Sequence, residues 1–323
     1  MTDSRLNRLY RAAWVRVTLL AFAGVLVLSA PARAQIDLSG AWSPENTQDY
    51  QIRLFGPQYA EYAGIPLNAA GRAAAMSYSP DTIDQLERQC QPWGTFYLLL
   101  GPFGMQISST ANRLDGSVQA WNITGVIDRV PISIWMDGRA PPSAQALRTY
   151  SGYATGQWRG DTLVVQITGM KDGYLTRNGI PSSGQAKLTL FITRHEQLLN
   201  ILGVFTDPVY LTQPYVLSRT WRQVFGNGTE IPPMTCMPHE EIPTISDGRH
   251  VATLLPGRNP MLRTDLEKYN LPLWATAGGA ETMYPEFRKR LQKEYTVPTE
   301  YCKEYCCGSG SAGGGMGLRC GAN

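Results

Sequence analysis

The feature that most limits what this chain can fold into is a series of short runs in which apolar and polar residues alternate. The clearest reads "TGQWRGDTLVVQITG", residues 155–169. Leu163, Val165 and Ile167 alternate there with Thr162, Gln166 and Thr168, the period of a strand with one buried face. Comparable runs lie at 36–42, 104–109, 118–123, 131–136, 153–158, 187–194, 198–205 and 215–223. Short reversals separate several of them: Asp115-Gly116, Asp137-Gly138, Gly160-Asp161 and Arg194-His195-Glu196-Gln197. Arg159-Gly160-Asp161 therefore reads as a bend between two strands rather than as an adhesion signal. Strands following one another with short returns predict a mainly β protein, an antiparallel barrel or curled sheet over 35–232.

Two segments depart from this rhythm. Residues 45–93, rich in Ala, Pro and Tyr, read as an insertion between the first two strands, with one short helix around 80–91. After Pro232 the pattern turns helical. Asn259-Pro260 opens a helix with Leu262, Leu266 and Tyr269 on one face. Pro285 opens another, with Phe287, Leu291 and Tyr295 opposite Arg288, Lys289 and Gln292. Residues 233–300 are thus expected to form a helical extension packed on the barrel, followed by a Cys- and Gly-rich tail over 301–323.

The first 34 residues read as an export signal. Arg5, Arg8, Arg11 and Arg16 precede an apolar run from Val17 to Leu28, and Ala32-Arg33-Ala34 then supplies the small residues of a cleavage site. The run is short for a bilayer span, so the expected mature protein is periplasmic or secreted and not membrane-embedded. Five of the 29 basic and one of the 26 acidic residues lie in this segment, leaving 24 against 25. The mature chain is close to neutral, which argues against a nucleic-acid partner. Cys90, Cys236, Cys302, Cys306, Cys307 and Cys320 all follow the signal, and an even count in an exported chain points to disulfides. A soft metal held by the tail thiols, or by Cys236 and His239 in "MTCMPHEE", is the alternative.

There are three histidines, His195, His239 and His250, and His195 and His250 fall in turn sequences. The chain lacks the hydrolase nucleophile elbow, the zinc-protease helix motif, the Walker loop and the dinucleotide fingerprint. No cofactor and no resident metal is expected on these grounds. What remains is acid–base chemistry by Asp, Tyr and Arg, inside a barrel made aromatic by Trp42, Trp121, Trp135, Trp158, Trp221 and Trp274.

Leu38-Ser39-Gly40-Ala41-Trp42 carries a Gly-x-Trp that resembles the lipocalin signature, in which the Trp closes one barrel end. More broadly, "IDLSGAWSP", "PFGMQI", "IWMDGR", "GQWRGDTLVV", "FTDPVYLTQPY" and "LPLWATAGGAETMYPEFR" resemble a family of exported proteins from soil and aromatic-degrading bacteria. The resemblance runs from Asp37 to about Arg290 and implies a lipocalin-like antiparallel β-barrel with a C-terminal helical extension. It brings no activity with it. Relatives tend to carry His where this chain has Tyr153 and Ser182, Asp where it has Gln166, and Pro-His-Pro where it has Ala140-Pro141-Pro142.

Two functions follow as expectations. One is a cofactor-independent lyase or isomerase acting by proton transfer on a small aromatic or apolar compound in the barrel cavity. Its catalytic candidates are Tyr153, Asp137, Arg139, Asp172 and Tyr174, with Trp135, Trp158, Gln166 and Ser182 holding the ligand. Trp158 and Gln166 are expected to face the lumen. The other is a non-catalytic periplasmic carrier of a small apolar ligand.

Overall fold

The computed structural model describes residues 36–45, 47, 57, 61–62, 64–79, 91–101, 103–125, 131–225, 254–255, 257–263 and 270–296. The export signal, all six cysteines, His239, His250 and all but the last residue of the helix expected around 80–91 lie outside them. The compact unit from Leu38 onward holds everything that follows.

Nine strands close into a barrel. They are β1 (Gly40–Pro44), β2 (Met105–Ala111), β3 (Val118–Thr124), β4 (Ile132–Trp135), β5 (Tyr153–Arg159), β6 (Thr162–Thr168), β9 (Lys187–His195), β10 (Leu198–Thr206) and β11 (Tyr215–Val224). Each matches one of the alternating runs. Two short strands outside the barrel, β7 (Gly173–Tyr174) and β8 (Pro181–Ser182), form a hairpin between β6 and β9. The barrel closes because β1 pairs on one side with β11 and on the other with β2.

Around a ring of nine, strand direction cannot alternate throughout, so at least one neighbouring pair must run parallel. That pair is β4–β5, with Ile134 opposite Ala154 and Trp135 opposite Thr155. Asp137-Gly138 is therefore not the hairpin its turn chemistry suggests. Gly138 does adopt φ 71°, but the chain then crosses back over 136–152 before β5 begins. Gly160-Asp161 does form the expected hairpin, with Gly160 at φ 60° and Arg159 paired to Thr162.

The alternation explains the core. Met105, Ile107, Trp121, Ile134, Leu163, Val165, Ile167, Leu188, Leu190, Ile192, Leu199, Ile201, Phe205 and Trp221 all point inward and are buried. At the β9–β10 hairpin end Trp42 is fully buried. Its indole N–H donates to the Leu38 carbonyl (3.1 Å) and the Arg194 guanidinium lies 5.2 Å from its ring. Arg194 also donates to the Gln223 side chain at 2.9 Å.

The opposite end is plugged. A 3-10 turn, Thr95–Leu99, is buried at every residue and enters the barrel mouth. Phe96 packs against Phe205 and Tyr215, with centroids 5.2 and 5.4 Å apart. Gly203 leaves the space that Leu99 takes, since a Cβ there would lie 2.3 Å from the leucine methyl. Arg219, 0 % exposed and on the inward face of β11, donates to the carbonyls of Gly101 and Leu99 at the end of the plug. A buried guanidinium is tolerable because its N–H groups find carbonyl acceptors inside the barrel.

The insertion contributes a helix that the pattern search missed, α1 (Ala69–Ser77). Its signals are an Ala-rich stretch and Asn68, whose side chain accepts the Gly71 N–H at 2.9 Å as an N-cap. The extension contributes 3-10 turns at Pro260–Arg263 and Ala280–Met283 and two helices, α2 (Leu273–Thr276) and α3 (Pro285–Glu294). Its contacts run to the insertion. Arg72 reaches the Ala277 carbonyl and the Glu281 carboxylate, and the Ala280 N–H donates to the Ile65 carbonyl at 2.9 Å. The insertion in turn holds the β10–β11 loop, through Asn68 to the Val209 and Tyr210 carbonyls and Thr212 to that of Pro66. Among the described residues no helix is long and apolar enough to cross a membrane.

Two measurements test this account. Arg219→Met removes the donor from two buried carbonyls and should lower unfolding free energy by about 2–4 kcal/mol. An unchanged urea midpoint would show the plug to be held by other contacts. Tyr62 is buried with its hydroxyl unpartnered, and burial raises its pKa. The neutral phenol contributes stability that is complete below about pH 10 and lost as pH rises through that value and beyond. Tyr62→Phe should therefore push the alkaline unfolding transition upward; a transition that stays put assigns it to other groups.

Candidate functional site

The barrel interior is not the cavity expected from the alternation. Trp42, Trp121, Trp221, Phe205, Met105 and the Leu99 plug fill it. Trp158 does face inward, level with Leu163, and its indole N–H, like those of Trp121 and Trp221, is buried without an acceptor. Gln166 does not. Its neighbour Ile167 takes the lumen side, so Gln166 is exposed on the outer wall and accepts from the Thr189 hydroxyl at 3.1 Å.

Tyr153, Asp137, Arg139 and Trp135 come together, but on that same outer wall. Ile134 and Ala154 occupy the inward register, which turns Trp135 and Tyr153 outward. Asp137 and Arg139 form an ion pair, and the guanidinium lies 3.6 Å above the Trp135 ring. The Tyr153 hydroxyl donates to the Ala140 carbonyl at 3.3 Å. Hydrogen bonds from Arg139 hold the Asp137 carboxyl below its usual range, and the carboxylate raises the guanidinium in return. Each charged group already has its partner, so the cluster clasps the crossover segment beside the parallel seam. It has no apolar enclosure in which to position a substrate.

The other three candidates meet elsewhere. β6 ends at Thr168, and Gly169 at φ 69° turns the chain through Met170, Lys171 and Asp172 into β7. In the β7–β8 register Gly173 faces Ser182 and Tyr174 faces Pro181. Asp172, Tyr174 and Ser182 are thereby brought onto one hairpin. With Pro92, Gly94, Thr95, Phe96, Tyr150, Met170, Lys171, Leu175 and Phe205 they line a narrow cleft beside the plug.

The cleft has an apolar base and a polar rim. Phe96, Phe205, Met170 and Leu175 are buried, whereas Lys171 and Asp172 are exposed. Asp172 accepts the Gly184 N–H at 2.8 Å. Behind it, buried Asp207 accepts the N–H and hydroxyl of Ser183 (2.6 and 2.7 Å) and the Val209 N–H, tying the hairpin to the β10–β11 loop. Burial, then the charges of Asp172 and Asp207, raise the pKa of Tyr210 and keep its phenol protonated. Tyr174 packs edge-on against Tyr78 at 5.2 Å. Gly179 is required beneath Tyr78, because a Cβ there would lie 2.0 Å from the ring.

Sequence reasoning passed over Tyr150, Lys171, Phe96 and Phe205. Tyr150 and Phe96 sit in segments without strand periodicity, and Phe205 is one more inward residue of a strand. Lys171 could have been found from its place beside Asp172. Among the described residues no group of His, Cys, Asp and Glu could hold a metal ion. No protein-family model, no curated protein and no solved structure matches this chain.

Because the outer cluster is self-satisfied and solvated, Asp137→Asn and Tyr153→Phe should leave ligand binding at the cleft unchanged. Asp137's contribution is present above the ordinary carboxylate range and lost as pH falls through its lowered value, so no change is expected near neutrality. Loss of binding or turnover in either variant would return this cluster to the functional site.

Proposed function

We propose that this exported protein binds a small aromatic or apolar compound carrying a hydrogen-bonding group, in the cleft between the β7–β8 hairpin and the barrel plug. The observation that carries this reading is the meeting of Asp172, Tyr174 and Ser182 above the aromatic base formed by Phe96 and Phe205. A concave site with a few polar groups over an apolar base is what a small ligand requires, the base supplying affinity and the rim orientation.

Reversible binding, the work of a carrier, suits this geometry better than turnover. Asp172 and Lys171 stand at an exposed rim, so water reaches the charged groups, and the Asp172 carboxylate already accepts a backbone N–H. Proton abstraction gains from a base shielded from water. One observation keeps a lyase or isomerase as the second reading. Asp172 can accept a proton and the Tyr174 hydroxyl can donate one, and both line the same cleft.

A mass-spectrometric comparison of phenols, aromatic acids and aryl dimers, each with its no-protein control, separates the two. The carrier predicts unchanged masses, with ligand retained by the protein and lost on filling the cleft by Ser182→Trp. The enzyme predicts a changed mass, abolished by Asp172→Asn. Neither retention nor conversion across the panel would overturn the assignment of this cleft.

A further inference from the structure

We infer that the cleft selects an anion, specifically a planar aromatic compound bearing a carboxylate, and that Lys171 is the residue that recognises it. This rests on the cleft being the binding site and names the class of ligand it takes.

The lysine is held in place by two contacts. Its backbone N–H donates to the Thr149 carbonyl at 2.9 Å, and the Thr149 N–H donates to the Gly169 carbonyl at 3.1 Å, so the end of the crossover is stitched to the end of β6. Its ammonium stands 4.6 Å from the centre of the Tyr150 ring. Tyr150 is itself fixed, its hydroxyl donating to the Gln91 side chain at 2.7 Å. A cation over a ring face is attracted by the ring's quadrupole, but that contact supplies no lone pair to the three N–H donors of an ammonium.

The neighbouring charge does not neutralise it. Among the described residues no carboxylate forms an ion pair with Lys171, and Asp172, next in sequence, turns its carboxylate to the Gly184 N–H. Among the described residues Lys171 is the one cation that lines the cleft. A single compact ammonium matches one carboxylate. A phosphate dianion calls for the forked donors of Arg, and among the described residues no Arg lines the cleft. The base formed by Phe96 and Phe205 takes the aromatic body of the same molecule.

The probes are 4-methoxybenzoate and its methyl ester, nearly alike in shape and different in charge at pH 7. Calorimetric titration of the full-length protein should show the acid binding about tenfold more tightly than the ester, the value of one charge-assisted hydrogen bond. The preference should fall to within about twofold in Lys171→Gln, persist in Lys171→Arg, and shrink at high salt. Circular dichroism of both variants checks the fold, and Lys171 is exposed enough for either side chain. Acid and ester binding equally well, or a preference that survives Lys171→Gln, overturns the inference while leaving the cleft as the binding site. Binding of neither probe by the wild-type protein, or binding indifferent to Ser182→Trp, overturns both.

Discussion

Arg219 sits where a barrel of this kind can least accommodate a charge, on the inward face of a strand and wholly out of contact with water. Its guanidinium reaches the carbonyls that end the Thr95–Leu99 turn, and its cation lies 4.9 Å from the Trp221 ring. Much else depends on this contact. With the plug seated, the lumen is filled by side chains and Phe96 is fixed against Phe205. The open space is then displaced from the barrel axis to the side of the plug. Removing the donor at 219 takes a hydrogen bond from the buried Gly101 carbonyl, a loss of about 1–3 kcal/mol.

The second constraint is the odd number of strands. The parallel β4–β5 seam obliges the chain to travel back from one end of the barrel to the other, and that crossover brings Thr149 and Tyr150 alongside Gly169 and Lys171. The cleft is thus built from segments with no strand periodicity of their own: the plug, the end of the crossover and the β7–β8 hairpin. The plug is held by the Arg219 guanidinium, the end of the crossover by backbone hydrogen bonds and the hairpin by the buried Asp207 carboxylate, which is how loops hold side chains in fixed positions.

The outer cluster shows what residue type alone leaves undecided. Asp137, Arg139, Trp135 and Tyr153 have the chemistry of an acid–base site, and they do assemble. Their assembly satisfies each group internally on a solvated wall, whereas a binding site keeps donors and acceptors available within an enclosure. Asp172, Tyr174 and Ser182 carry no more suggestive chemistry. What distinguishes them is an apolar base beside a polar rim.

The nine barrel strands were legible in the sequence because side-chain alternation is local and has a fixed period, so inward and outward faces can be counted residue by residue. The Gly160-Asp161 hairpin was legible for a similar reason, since a tight reversal of that hand needs residues that tolerate positive φ. The direction of β5 relative to β4 was not, because it is settled by ring closure among strands far apart in the chain. Nor could alternation tell a filled lumen from an open one. Both bury the same inward faces, and only the arrival of residues 95–101, held by Arg219 and admitted by Gly203, decides between them. The pairing of Asp172 and Tyr174 with Ser182, and of Lys171 with Tyr150, belongs to tertiary structure as well. Those contacts depend on hairpin register and a crossover path, and no period within the sequence records either.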